Sequence, residues 1–108
     1  SLEVVNRKLY DYLNIYAVVI HPVDQSCTVI DGTFYHDMGP LAKKPKLTTG
    51  AGDNFNSGFV FGLMLGLTPH ESLLMGMGTS GFYVRQARSP KFQELVQFIQ
   101  DWDLQKID

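Results

Sequence analysis

At 108 residues, with 44% hydrophobic and 19% charged residues, the chain has the make-up of one globular domain or part of one, able to bury a modest core. A net charge of −2 removes any electrostatic case for nucleic acid or an anionic membrane surface. Cys27 is the sole cysteine, so no intrachain disulfide exists and a reducing, cytoplasmic setting is expected. The most apolar run, Phe59 to Leu67, falls well short of the roughly 20 residues a membrane span requires.

Taken in chain order, Val4, Val5, Leu9, Tyr12 and Leu13 recur at near-helical spacing and predict a helix over 2–13. Tyr16 to Ile20 is a continuous β-prone run, the pattern of a strand covered on both faces. His21 to Gln25 breaks it with turn chemistry. Cys27–Ile30 and Thr33–His36 flank Asp31-Gly32, a pair suited to the positive φ values of a tight hairpin. A loop from Met38 to Lys46, bearing Gly39, Pro40 and Pro45, leads to the run Thr48-Thr49-Gly50-Ala51-Gly52-Asp53-Asn54-Phe55. A helix is expected from Gly52 to Leu65, stopped by Gly66. Thr68, Pro69 and Glu71 spell a capping box for a second helix reaching about Gln86. Ser89-Pro90 repeats the start signal for a third, with Phe92, Leu95, Val96, Ile99 and Trp102 on one stripe.

The chemistry concentrates in 48–55. Backbone N–H groups at a helix start lack intrahelical partners and carry the positive end of the dipole. Small residues there let an anion approach closely. An adjacent carboxylate is placed to take a proton from an attacking hydroxyl. The longer run Thr48 to Phe59 closely resembles the C-terminal signature of the ribokinase-like (PfkB) carbohydrate kinases. The resemblance implies an ATP-dependent phosphotransferase acting on a sugar or sugar-like alcohol. It makes Gly50, Ala51 and Gly52 the anion hole and Asp53 the catalytic base. Magnesium is implied as a companion of the ATP phosphates, with no metal ligand in this segment.

The same resemblance implies an α/β fold, the C-terminal portion of a three-layer α/β/α sandwich. Residues 1–108 are then the nucleotide and anion-hole part of a longer kinase domain, with the N-terminal sugar-binding part and lid absent and this piece alone inactive. In the second long helix, Gly76, Gly78, Ser80 and Gly81 would each cost stability, about 1 kcal/mol for a glycine, unless packing or a ligand offsets it. The family's corresponding helix borders the adenine pocket, which places Gly76, Gly78, Thr79 and Ser80 near the nucleotide, with close helix packing as the competing explanation; the resemblance also sets Thr49 of the signature among the nucleotide-binding residues.

Two positions depart from the family pattern. Leu47 stands where relatives carry an acidic residue, which argues against a monovalent-cation site. His21-Pro22-Val23-Asp24-Gln25-Ser26 replaces a glycine-rich turn that contacts the ATP phosphates or ribose, and Asp24 would add negative charge if the loop kept its position. His21, His36 and His70 lack metal-ligand spacing and read as turn or surface residues. Arg85 reads as a dipole partner at a helix end, with a phosphate contact less favoured. A dinucleotide fingerprint fails because Phe55 stands where a small residue is needed, and a Walker A loop fails for want of Gly-Lys-Ser/Thr. Two alternatives remain: a nucleoside as acceptor, or a non-catalytic truncated domain that folds and self-associates as a homo-oligomer.

Overall fold

A computed structural model describes all residues from Ser1 to Asp108. The elements run α1 (Leu2–Leu13), β1 (Ala17–Ile20), β2 (Gln25–Ile30), β3 (Thr33–Met38), α2 (Ala51–Met64), α3 (Pro69–Gln86) and α4 (Phe92–Asp103). The strands form one antiparallel sheet in the order β1-β2-β3. The hairpin turn falls at Asp31 and Gly32, whose φ values of 48° and 81° are the conformations an Asp-Gly pair tolerates. The register sets Val29 opposite Phe34 and Val18.

Side-chain alternation gives the sheet two faces. Ala17, Val19, Ile30 and Tyr35 face α2 and α3, joining the core of Phe55, Phe59, Leu73 and Met77. The other face receives α1, and the fold is α/β in three layers. The order of elements agrees with the sequence expectation, but three details do not. Strand β1 begins at Ala17 and is a sheet edge, with Tyr16 exposed and Val18 its one buried residue. In α1 the predicted stripe of Val4, Val5, Leu9, Tyr12 and Leu13 is exposed, and Asn6 is the buried residue. Asn6 faces the sheet backbone: with its side-chain amide oriented so that the nitrogen donates to the Val18 carbonyl (3.0 Å), its oxygen accepts from the Thr28 N–H (3.3 Å). A polar side chain takes the inward position because it satisfies groups an apolar one would leave unpaired.

Helix α4 starts later than Ser89-Pro90 suggested. The Ser89 hydroxyl donates to Asn54 Oδ1 at 2.7 Å, and the Glu94 carboxylate accepts the Lys91 N–H at 2.9 Å, so Lys91 becomes the cap. Its buried residues are Leu95 and Phe98, whereas Phe92 and Val96 are exposed.

Arg88 forks onto Glu94 with contacts of 2.9 and 2.6 Å. The Arg88 side chain, then the Lys91 N–H, hold the Glu94 carboxyl at about 2, below its ordinary 4.5. A carboxyl whose folded value is depressed stabilises the fold above its unfolded value, and that contribution fades as pH falls through the folded one. Glu94→Gln should therefore lower the urea midpoint at neutral pH, and the gap from wild type should close between pH 4.5 and 2. A gap that stays constant across that range would contradict the assignment.

Helices α2 and α3 pack closely because small residues meet across them. A Cβ at Gly58 would lie 2.5 Å from the Met75 carbonyl oxygen, one at Gly62 2.9 Å from Ser72, and one at Gly76 2.9 Å from the Phe55 ring. Gly78 fits against Leu95 and Ile99 of α4, and Gly81 against Pro40 and Phe98.

Candidate active site at the start of helix α2

The approach to α2 is tied down at several points. The N–H groups of Lys46 and Leu47 donate to the Val84 carbonyl, at 2.7 and 3.4 Å, near the free C-terminal end of α3. Further along, the Tyr83 hydroxyl donates to the Thr49 carbonyl at 2.6 Å. Gly50 is the N-cap, with φ 94°, a left-handed conformation that a side chain would strain. Its carbonyl accepts both from the Asn54 N–H (3.1 Å) and from the Asn54 side-chain amide (3.0 Å).

This arrangement leaves some amides free and engages one. The N–H of Ala51 donates to the Thr48 carbonyl at 3.1 Å, closing a turn. Ala51 is therefore not an open donor here, contrary to the expectation that all three residues of Gly50-Ala51-Gly52 would be. The N–H groups of Gly50, Gly52 and Asp53 have no acceptor.

A cavity of about 330 Å³ opens beside this turn. It is lined by Thr48, Ala51, Gly52 and Phe55 at the start of α2, by Met77, Ser80, Gly81 and Val84 of α3, and by His21, Pro22 and Val23. Its lining is largely apolar with a few polar groups, the usual character of a small-molecule site. Ser80 is thus brought to the cavity. Gly76, Gly78 and Thr79 are not: the two glycines sit in helix contacts, and the Thr79 hydroxyl donates to the Met75 carbonyl at 2.7 Å. Thr49 contributes its carbonyl to Tyr83 and does not line the cavity.

Asp53 stands on the first turn of α2 with an exposed carboxylate, outside the cavity lining. Of the loop that departs from the expected glycine turn, His21, Pro22, Val23 and Gln25 line the cavity while Asp24 does not. The His21 ring stacks on Phe55, centroids 4.3 Å apart, and its Cε1 lies 3.3 Å from where a Cβ at Gly52 would stand. Leu47 is half-buried and presents no oxygen side chain.

His21 reads in the sequence as a turn histidine, and only the fold sets it on Phe55. Tyr83 gave no signal, since its partner lies 34 residues away in sequence. No helix is long and apolar enough to cross a membrane.

Comparisons with known proteins bear on this geometry. The family model of prokaryotic ketohexokinase matches residues 2–102. A ketohexokinase of Haloferax volcanii is 36% identical over 78 residues, which cover 72% of this chain and 19% of that protein. Among solved structures, a ribokinase from Thermotoga maritima superposes with a TM-score of 0.77 at 24% identity, over 93% of this chain and 35% of that one. A nucleoside kinase of Methanocaldococcus jannaschii, an archaeal member of the ribokinase family, superposes with a TM-score of 0.70 at 20% identity, over 88% of this chain and 36% of that one. The chain therefore spans about a fifth of the length of the curated relative and about a third of these structures. With a family match running almost end to end and a ribokinase-like fold, the chain belongs to the prokaryotic ketohexokinase family of carbohydrate kinases.

Proposed function

We propose that the protein carrying this chain transfers the γ-phosphoryl group of ATP to a hydroxyl of a sugar, with a ketohexose as the first acceptor class to test. The family membership supplies the class of reaction, and the Haloferax relative, a ketohexokinase, suggests the acceptor. The observation that carries the reading is the placement of the α2 start. Free amides at Gly50 and Gly52 lie beside a cavity, and Asp53 is exposed outside it. In-line transfer needs nucleotide and acceptor on opposite sides of the moving phosphorus. The cavity suits the nucleotide, with Ser80 and Thr48 as polar contacts, and the open side at Asp53 suits the acceptor.

In the proposed step, Asp53 accepts the proton of the acceptor hydroxyl as its oxygen bonds to the γ-phosphorus. The bond from that phosphorus to the β-γ bridging oxygen breaks, and ADP leaves with those electrons. The amides of Gly50 and Gly52 stabilise charge on the equatorial oxygens; a single donor of this kind is worth roughly 3 kcal/mol. Magnesium, bound through the phosphates, would neutralise their charge. Incubation of the protein with ATP, magnesium and a panel of ketohexoses, ribose and nucleosides tests the reading by ADP release. Phosphorylation of a ketohexose is the expected result; no ADP above the sugar-free control with any acceptor would overturn it.

A second reading is favoured by the exposed apolar side chains of α1 (Val4, Val5, Leu9, Tyr12) and of α2 (Val60, Phe61, Met64). In it, the 108-residue chain taken alone folds and self-associates without catalysis. Sedimentation together with the same ADP assay separates the two.

A further inference from the structure

We infer that Tyr83 is a positioning residue for phosphoryl transfer: its hydroxyl fixes the Thr49–Gly50 peptide so that the Gly50 N–H faces the transferring group. The inference rests on the proposed kinase reading and adds to the glycine signature a residue from the far end of α3.

Three observations converge on this peptide. The Tyr83 hydroxyl donates to the Thr49 carbonyl at 2.6 Å, a short contact. The same oxygen lies 2.7 Å from where a Cβ at position 50 would stand, so any side chain there would displace the tyrosine hydroxyl. The next residue of α3, Val84, holds the Lys46 N–H at 2.7 Å, so the strap entering the site is registered against the same helical turn. Downstream, Asn54 holds the Gly50 carbonyl through its own N–H and side chain.

A peptide unit is planar and trans, so its C=O and N–H point in opposite directions. Holding the Thr49 carbonyl on α3 therefore turns the Gly50 N–H away from α3. That N–H has no acceptor in the structure. Glycine moves readily between φ values, and without the Tyr83 contact the Thr49–Gly50 unit has little to keep it from rotating. An anion hole works through donors aimed before the reaction begins, so a donor free to rotate loses most of its effect. Because Tyr83 stands outside the cavity lining, it has no direct part in holding the nucleotide.

Tyr83→Phe keeps the ring and removes the hydroxyl. In the natural protein, kcat should fall by between about tenfold and a hundredfold, with the KM values for ATP and sugar changing by less than about threefold. A purely structural role would instead lower the thermal midpoint without this split. Unchanged kcat, or a loss confined to KM, would overturn the inference. Asp53→Asn measured alongside keeps the two levels apart. If Asp53→Asn abolishes turnover and Tyr83→Phe is silent, the Tyr83 assignment alone fails. If Asp53→Asn also turns over normally, the kinase reading of the site fails with it.

Discussion

Replacement of Asp53 by asparagine should lower turnover by about 10² to 10⁴, the range associated with a positioned general base. The substitution keeps the size of the side chain and its place on the first turn of α2 but removes its capacity to accept a proton. ATP affinity should change little, because Asp53 lies outside the lining of the cavity assigned to the nucleotide. Its loss even removes a negative charge from the neighbourhood of the phosphates. The pattern expected in steady-state kinetics is thus a collapse of kcat with the KM for ATP nearly constant, and in titration calorimetry an undiminished ATP signal. An interaction made only in the transition state has this signature. Turnover within tenfold of wild type would remove Asp53 from the mechanism.

The second large effect concerns stability. Gly58 sits where α2 crosses α3, and an added methyl would stand 2.5 Å from both the Met75 carbonyl oxygen and the Thr79 hydroxyl, and 2.9 Å from the Met75 carbonyl carbon. Backbone atoms cannot rotate aside as a side-chain tip can, so the two helices would have to separate. Overpacking of this kind costs about 1–3 kcal/mol and sometimes more. The higher helix propensity of alanine returns only about 1 kcal/mol. Gly58→Ala should therefore lower stability by about 1–2 kcal/mol in urea unfolding, the upper part of the net range because the contacts are to backbone. Gly52→Ala provides a contrast, since its methyl would meet only the edge of the His21 ring at 3.3 Å. Equal stability of Gly58→Ala and wild type would mean that the two helices are not packed as described. The same contact explains why glycines recur at this crossing: they let the helices that carry Asp53 and Tyr83 approach each other.

Features governed by neighbouring residues were legible in the sequence. The Asp31-Gly32 hairpin needs only two positive φ values, and the Thr68 cap with Glu71 closes within four residues. The small-residue run at 48–55 was equally plain as a turn into a helix, and α2 starts there with Gly50 as its cap. Features governed by distant partners were not. The periodicity of α1 marked a stripe, but Asn6 outcompeted it for the inward position by pairing with the strand backbone. Ser89 looked like a cap until the fold set Asn54 beside it. The glycines of α3 left ligand and packing as open explanations, and the facing side chains of Phe55, Leu95 and Ile99 occupy the space at Gly76 and Gly78. Within the proposed anion hole, the turn that engages the Ala51 amide depends on a conformation at Gly50 that composition alone does not specify.

The most direct test is a crystal structure of the protein with ADP, magnesium, a ketohexose and fluoroaluminate as a mimic of the moving phosphoryl group. The proposed mechanism predicts the fluoroaluminate over the start of α2, with the Gly50 and Gly52 nitrogens about 3 Å from its equatorial fluorides. ADP should fill the cavity beside Ser80, and the Asp53 carboxylate should touch the sugar hydroxyl aligned for attack. A fluoroaluminate bound away from those amides, or an Asp53 that contacts neither sugar nor phosphoryl mimic, would contradict it.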